Sequence, residues 1–161
     1  MLARDKEKER VEAQMGVSIG GKKMNNFHFS MRSLLNLSGV HGDLIRVCML
    51  ALQTTPIDFV VVSGVRTLEE QKALVESGKS KTMKSRHLFG LAVDLYPIVK
   101  DKDNLKDTTP GGPWAVLADH VKEAGNRLSV PVWWGMDLWG WDCPHFEIPR
   151  TGNYANAEPQ I

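Results

Sequence analysis

The chain has 161 residues, with 20 basic and 19 acidic side chains and a net charge of +1. This length is that of one domain with a core of its own, and the near-neutral charge argues against a nucleic-acid-binding protein. The charged amino-terminal segment is unlike a signal peptide, and no apolar run approaches the roughly 18 residues of a membrane span. We therefore expect a protein that is held in a cytoplasm and does not insert into a membrane.

The first predicted elements are a helix and a strand that follow a polar extension. Residues 1–23 end in G-G-K-K and are typical of a frayed or partly helical extension, and Met24 offers an alternative start. The segment 57–63, I-D-F-V-V-V-S, is apolar on both faces, which predicts a central strand after the break at Pro56. Before that break, apolar side chains recur at helical spacing and predict one buried stripe: Leu44, Val47, Cys48, Ala51 and Leu52.

Two more helices and further strands are predicted downstream. Thr67 and Glu70 have the spacing of a capping box, which predicts a short helix that ends at Gly78, and residues 91–96 form the next strand. After a solvated loop over 101–112, a helix should begin at Pro113, end at Gly125 and bury one stripe: Trp114, Leu117, Ala118, Val121 and Ala124. The tryptophan-rich segment 130–148 predicts short strands joined by a turn. Helices and strands mix without a regular repeat, so an α+β fold is expected.

Two short segments contain the residue types of a metal site. The first, S-R-H-L-F-G-L-A-V-D, contains His87 and Asp94, and the second, D-C-P-H-F-E, contains His145. Two imidazoles and one carboxylate form a three-ligand zinc site that leaves one coordination position open. An odd spacing places His87 and Asp94 on opposite faces of a regular strand, but a turn at Gly90 can bring both to one side. The sequence therefore predicts a Zn²⁺ site suited to hydrolysis.

Metal-assisted hydrolysis also needs a base, and the sequence offers two candidates. Asp142 precedes His145 by three residues and would approach the metal without ligating it, so it is the favoured base. Glu147 is the competitor, or it instead orients a ligand, because a regular strand would place it on the same face as His145. Cys143 lies between the two acids, but the ligand set is complete without its sulfur.

These motifs resemble those of the M15 family of zinc peptidases, which includes D-Ala-D-Ala carboxypeptidases, dipeptidases and phage L-alanyl-D-glutamate endopeptidases. The residues that match the family patterns are Ser85, His87, Gly90, Ala92 and Asp94 in the first motif, Asp142, His145 and Phe146 in the second, and Ser63, Gly64, Arg66, Thr67 and Gln71 upstream. The resemblance extends from about residue 33 to residue 148, and the phage endolysin branch fits best.

The resemblance implies a fold and a set of site residues. The fold would be Hedgehog-like, a single compact domain over 24–150 with a small antiparallel sheet packed by helices, a zinc site at the sheet edge and a short tail over 151–161. The implied metal ligands are His87, Asp94 and His145, and the implied catalytic residues are Asp142 as general base and Arg66. Arg66 would supply positive charge where negative charge develops on the substrate. The residues implied to bind substrate are Ser85, Arg66 and Gln71.

The implied function is that of a zinc-dependent endopeptidase that cuts the L-Ala-D-Glu bond of peptidoglycan stem peptides in host cell lysis. Such an endolysin is expected to be a monomer that stays in the host cytoplasm until a separate membrane-permeabilising protein gives it access to the wall in the periplasm. Two alternatives remain: a D-Ala-D-Ala carboxypeptidase or dipeptidase, and a non-catalytic zinc-containing binding domain.

Two features of the substrate side remain open at this point. A cationic segment, formed by Lys79, Lys81, Lys84 and Arg86, either attracts the carboxylates of stem peptides or is an ordinary solvated hairpin. Met136 stands where the endolysin branch often has the second glycine of W-G-G-D-W, so the substrate-side wall differs here.

Overall fold

The computed structural model describes the backbone of residues 18–19 and 22–159 and the side chains of residues 24–159. The extension predicted over residues 1–23 lies largely outside the described residues, although Ser18–Ile19 (β1) and Lys22–Lys23 (β2) pair as short antiparallel strands. Within the described part of the chain, none of the helices combines the length and apolar character that crossing a bilayer requires.

A four-stranded antiparallel sheet forms the centre of the fold, as the α+β prediction required. The strands stand in the order β3 (Phe59–Ser63), β4 (Ala92–Pro97), β6 (His145–Glu147) and β5 (Trp133–Trp134). Side chains alternate between the two faces of each strand. Those directed into the core are almost completely buried: Phe59, Val61, Val93, Leu95 and Phe146. Asp94 and His145 project from the opposite face, which is therefore the polar one.

Helices supply the rest of the core. Helix α2 (Gly42–Thr54) packs against α4 (Pro113–Leu128), which also contacts β4 and β5. The buried residues of both helices include every residue of the two predicted stripes, and Pro113 begins α4 as predicted. Helix α3 (Leu68–Glu76) begins with the predicted capping box, and Gly78 follows it with a φ of 75°.

The prediction of a central strand over 57–63 is wrong, because β3 lies at one end of the sheet. A short helix, α1 (Met31–Asn36), packs along its outer edge. The backbone N–H of Val61 donates to Ser33 Oγ at 3.2 Å, and its carbonyl accepts from Asn36 Nδ2 at 2.8 Å. Side chains of α1 thus satisfy backbone groups that a neighbouring strand would otherwise pair. An apolar strand can therefore stand at the edge.

The predicted end of the helix at Gly125 and the predicted turn in the tryptophan-rich segment are also wrong. Helix α4 passes Gly125 and continues to Leu128, and the chain then reverses at Ser129, whose φ is 55°. Gly125 is buried inside the helix, where its carbonyl accepts the backbone N–H of Val130 at 2.9 Å. Between β5 and β6 the chain forms a short helix, α5 (Gly135–Trp139), where only a turn was expected.

Three 3-10 helices complete the described elements: Arg86–Phe89, Lys102–Lys106 and Gly152–Tyr154. The second lies in the predicted solvated loop, and none of its residues is buried. The third lies in the segment predicted as a tail. Tyr154 is buried there, and its hydroxyl donates to Asp43 of α2 at 2.9 Å. The start of the tail thus packs onto the domain.

Candidate metal centre

The three predicted ligands meet on the polar face of the sheet. Asp94 of β4 and His145 of β6 stand directly opposite each other in the strand register, so their side chains project to the same side. His87 lies in the 3-10 turn before β4, and Gly90 ends that turn with a φ of 65°. This left-handed glycine supplies the predicted change of direction. The resemblance implied a site at the sheet edge. The predicted ligands come instead from the two inner strands, β4 and β6, and from the turn before β4.

The three facing atoms form a nearly equilateral triangle. His87 Nε2 lies 3.2 Å from Asp94 Oδ1 and 3.2 Å from His145 Nδ1, and His145 Nδ1 lies 3.4 Å from Asp94 Oδ1. Zinc bonds of about 2.0–2.1 Å at tetrahedral angles separate ligand atoms by about 3.3–3.4 Å. The triangle therefore has the size of one face of a tetrahedral zinc site.

Hydrogen bonds on the far side of each ring determine which nitrogen carries a lone pair. His87 Nδ1 lies 2.6 Å from the carbonyl oxygen of Gly64, which can only accept, so this nitrogen donates. His145 Nε2 likewise donates to Glu147 Oε2 at 2.8 Å. In the neutral rings, the two nitrogens of the triangle are then lone-pair atoms that face each other and a carboxylate oxygen. Three such atoms at this distance repel one another unless a proton or a metal ion lies among them.

The electrostatics of the centre favour such a cation. Burial disfavours the charged form of His145, but hydrogen bonds with Asp94 and Glu147 outweigh it and raise the pKa of His145 to about 9. Burial also opposes ionisation of Asp94, yet its interactions with His145, His87 and Arg66 hold its pKa well below the usual range. Asp94 is thus a carboxylate at neutral pH. The same negative surroundings that attract a proton to His145 attract a metal ion.

Arg66 is bonded to one of the predicted ligands. Its Nη2 donates to Asp94 Oδ2 at 2.6 Å, which leaves Oδ1 directed at the two imidazoles. Its other nitrogens donate to Ser63 Oγ at 3.3 Å and to Gln71 Oε1 at 3.4 Å. Arg66 also lines the cavity over the site. Its charge is therefore fixed beside the centre by three partners.

Gln71 and Ser85 occupy supporting positions in this structure. Gln71 is fully buried, and its amide nitrogen donates to Ser80 Oγ at 2.8 Å and to the carbonyl of Thr82 at 2.6 Å. It reaches the cavity only through these partners and Arg66. Ser85 lines the cavity, and its Oγ accepts the backbone N–H of His87 at 3.4 Å, so it begins the turn that carries this ligand.

A cavity of about 820 Å³ opens over the three ligands. The cationic segment contributes all four of its basic side chains to the wall, and Trp139 and Trp141 contribute aromatic surface. Lys81 Nζ lies 4.8 Å from the centre of the Trp141 ring, so the two parts of the wall meet. Met136 packs against the core and is not among the residues that line the cavity. The substrate-side wall, which the sequence at Met136 did not define, is thus formed in part by these two tryptophans.

The two candidate bases differ in their contacts. Glu147 is buried, bonded to His145 through Oε2, and its Oε1 lies 3.9 Å from Arg86 Nε. The carboxylate of Asp142 lines the cavity and forms no hydrogen bond or ion pair with any residue in the described part of the chain. Partial burial raises the pKa of Asp142 and outweighs the nearby positive charges. Glu147 is thus engaged in orienting His145, while Asp142 faces the open space.

Two contacts of the site were not predicted from the sequence. The carbonyl of Gly64 orients His87, and a Cβ at this glycine would overlap the backbone oxygen of Asn36 in α1. The Trp139 ring lies 5.3 Å from the His145 ring, centre to centre. The first contact joins residues 23 apart in sequence, and the second depends on the fold of the chain between α5 and β6, so no regular spacing could reveal either. Cys143 is buried, and among the described residues the group that could hold a metal ion consists of His87, Asp94 and His145 without it.

Comparison with known proteins adds independent information. Residues 24–152 match the family model of the phage L-alanyl-D-glutamate peptidase. The chain is 31% identical over 139 residues to the L-alanyl-D-glutamate peptidase of Escherichia phage T5, in an alignment that covers 84% of this chain and 98% of that protein. It is 31% identical over 134 residues to the L-alanyl-D-glutamate peptidase of Listeria phage A118, covering 80% of this chain and 44% of the relative. Among solved structures, the L-Ala D-Glu endopeptidase ChiX of Serratia marcescens aligns with a TM-score of 0.64 and 32% identity, over 78% of this chain and 92% of that one.

Proposed function

The chain belongs to the phage L-alanyl-D-glutamate peptidase family, and on this basis we propose that it is a zinc-dependent endopeptidase that cuts the L-Ala-D-Glu bond of peptidoglycan stem peptides. The observation that carries the metal assignment is the triangle of His87 Nε2, His145 Nδ1 and Asp94 Oδ1, 3.2–3.4 Å apart, with both imidazoles bonded to acceptors on their far sides. Two neutral imidazoles and one carboxylate suit zinc, and they leave the ion a net positive charge.

The residues around the centre can carry out the hydrolysis. Zinc held by His87, Asp94 and His145 would supply Lewis-acid chemistry that polarises the scissile carbonyl and acidifies water. Asp142 takes a proton from the attacking water and returns it to the leaving amine, because its carboxylate faces the cavity and is uncommitted. Its raised pKa brings its proton affinity closer to that of the groups it exchanges protons with.

Arg66 acts in two ways under this proposal. Its bond to Asp94 Oδ2 keeps Oδ1 on the metal side, and its charge stabilises the oxygen that becomes negative during attack. Gln71 accepts a hydrogen bond from Arg66 and donates to Ser80 and Thr82. It thereby positions Arg66 and the backbone of the cationic segment relative to each other. Ser85 holds the turn of His87 and offers the cavity a hydroxyl for the substrate.

Digestion of purified peptidoglycan tests the reaction. Cleavage of the L-Ala-D-Glu bond creates a new amino group on D-Glu and a new carboxyl group on L-Ala, whereas a D-Ala-D-Ala carboxypeptidase releases only D-Ala. The Asp142→Ala variant should retain zinc and the fold and lose activity by a factor of about 10²–10⁴. Asp137→Ala is the matched control, since Asp137 is exposed and pairs with Lys122. Undiminished digestion by Asp142→Ala would exclude Asp142 as the base, and a zinc-loaded wild type without new termini would favour a binding domain.

The cationic segment is proposed to attract the carboxylates of the stem peptide. Lys79, Lys81, Lys84 and Arg86 all line the cavity, which the solvated-hairpin alternative does not require. Exposed charges act over about 10 Å at 0.1 M salt, so the effect should be largest at low salt. Changing all four to glutamine should lower kcat/KM at low salt, and unchanged turnover would refute the steering role.

We further propose that the protein acts as a monomeric endolysin in host cell lysis. It would wait in the host cytoplasm until a separate protein permeabilises the membrane and would then act on the wall from the periplasmic side. Expression with and without a permeabilising protein tests this order, because lysis should require both. Lysis by the chain alone would contradict it.

A further inference from the structure

We propose that Trp139 and Trp141 form a saccharide-binding ledge next to the metal centre, which holds the sugar that precedes the scissile bond. This inference rests on the proposed L-Ala-D-Glu cleavage, since it concerns the same cavity. In peptidoglycan, the amino group of that L-Ala is joined to the lactyl group of N-acetylmuramic acid. The sugar is thus the next chemical unit on the amino side of the bond.

Both indoles expose about half of their surface, although large aromatic side chains are usually buried. Trp139 is 48% and Trp141 is 53% exposed, and both line the cavity. Their ring centres are 6.3 Å apart with an angle of 31° between the planes. Two adjoining, half-exposed indoles in the wall of a binding cavity are typical of a ligand-contacting surface.

The ledge lies at the right distance from the site of cleavage. The centre of the Trp139 ring is 5.3 Å from that of the His145 ring, and the centre of the Trp141 ring is 6.3 Å from that of Trp139. One extended residue spans about 3.3–3.6 Å. With the scissile carbonyl at the metal, one alanine and one lactyl group bring the sugar ring to the two tryptophans.

The chemistry of the ledge matches a sugar better than it matches the stem peptide. The stem peptide offers alanine methyl groups and charged side chains, and neither covers two indoles. A pyranose ring presents a flat face of C–H groups to an aromatic ring and keeps its hydroxyls at the rim. Lys81 Nζ lies over one face of the Trp141 ring, 4.8 Å from its centre, so a sugar would pack on the ring surface that the lysine leaves free and could accept a hydrogen bond from the lysine ammonium group.

The test compares two soluble substrates, N-acetylmuramoyl-tripeptide and the same tripeptide without the sugar. Trp141→Ala is the informative variant, because Trp139 also contacts the ligand His145. The wild type should prefer the muramoyl substrate, and Trp141→Ala should lower kcat/KM for that substrate about tenfold while leaving the free peptide within about twofold. Trp133→Ala is the matched control, since Trp133 is 45% exposed but does not line the cavity.

Equal losses on both substrates would assign Trp141 a general role in the wall and overturn the proposal, as would a wild type without preference. Binding of N-acetylmuramoyl-L-alanine, measured by isothermal titration calorimetry, gives a readout that needs no hydrolysis and does not depend on the tryptophan that is replaced. Binding that weakens in Trp141→Ala supports the ledge even if neither substrate is cut, in which case the proposed function fails alone. Absence of binding to the wild type refutes the ledge.

Discussion

Removal of the Glu147 carboxylate should loosen zinc without unfolding the domain. Glu147 Oε2 accepts the Nε2 proton of His145 at 2.8 Å, which holds the ring with Nδ1 in the triangle. Loss of such a partner typically weakens metal binding about 10- to 100-fold, or about 1.4–2.8 kcal/mol. We expect Glu147→Ala to fall in this range. Glu147→Gln should lose less than about tenfold, because an amide oxygen still accepts the proton but carries no charge.

The assay is the zinc affinity of the metal-free protein, measured at fixed pH by competition with a chromophoric chelator. Thermal unfolding of the metal-free variants checks that the fold is retained. Arg86, the other neighbour of Glu147, is about one third exposed and can turn to water when the acid is removed. Glu76→Ala is the matched control, because Glu76 is exposed and forms an ion pair with Lys72. Wild-type zinc affinity in Glu147→Ala would refute the orienting role.

Three other perturbations address different parts of the structure. His87→Ala should abolish both zinc binding and digestion, which metal analysis of the purified variant would show; retained stoichiometric zinc would exclude His87 as a ligand. Gly64→Ala should lower the free energy of unfolding by about 1–3 kcal/mol, because the new Cβ overlaps the Asn36 backbone. A wild-type unfolding midpoint in denaturant would contradict this close approach. Burial raises the pKa of Cys48 to about 12, so its thiol should react with a disulfide reagent at pH 8 only after unfolding. Rapid labelling of Cys48 in the native protein would show that the site is open to solvent.

Two of the three predicted ligands could be placed together from sequence because their geometry is local, whereas His145 joins them only through the pairing of β4 with β6. His87, Gly90 and Asp94 lie in one short segment, and a single left-handed glycine is enough to place both ligands on one side. The helical stripes of α2 and α4 could be predicted for the same reason, since each repeats within one element.

Features that depend on tertiary partners could not be predicted. The apolar character of β3 is compatible with a central or an edge position, and the difference is made by side chains of α1. Gln71 is a polar residue on a short helix, yet it is completely buried because Ser80, Thr82 and Arg66 satisfy its amide. The sequence alone does not reveal that α1 pairs with the edge of β3, or which residues bond to Gln71.

The outer edge of β3 also bears on how the chain is made. F-V-V-V-S is an apolar, β-branched and uncharged run, the kind of segment that joins strands of other molecules when its edge is free. Its neighbour β4 begins at Ala92 and is synthesised well after it. Helix α1 precedes β3 in the chain, so Ser33 and Asn36 have left the ribosome before Val61 does. The segment that covers this edge is therefore already available when the strand emerges. This should reduce aggregation between nascent chains through the edge of β3.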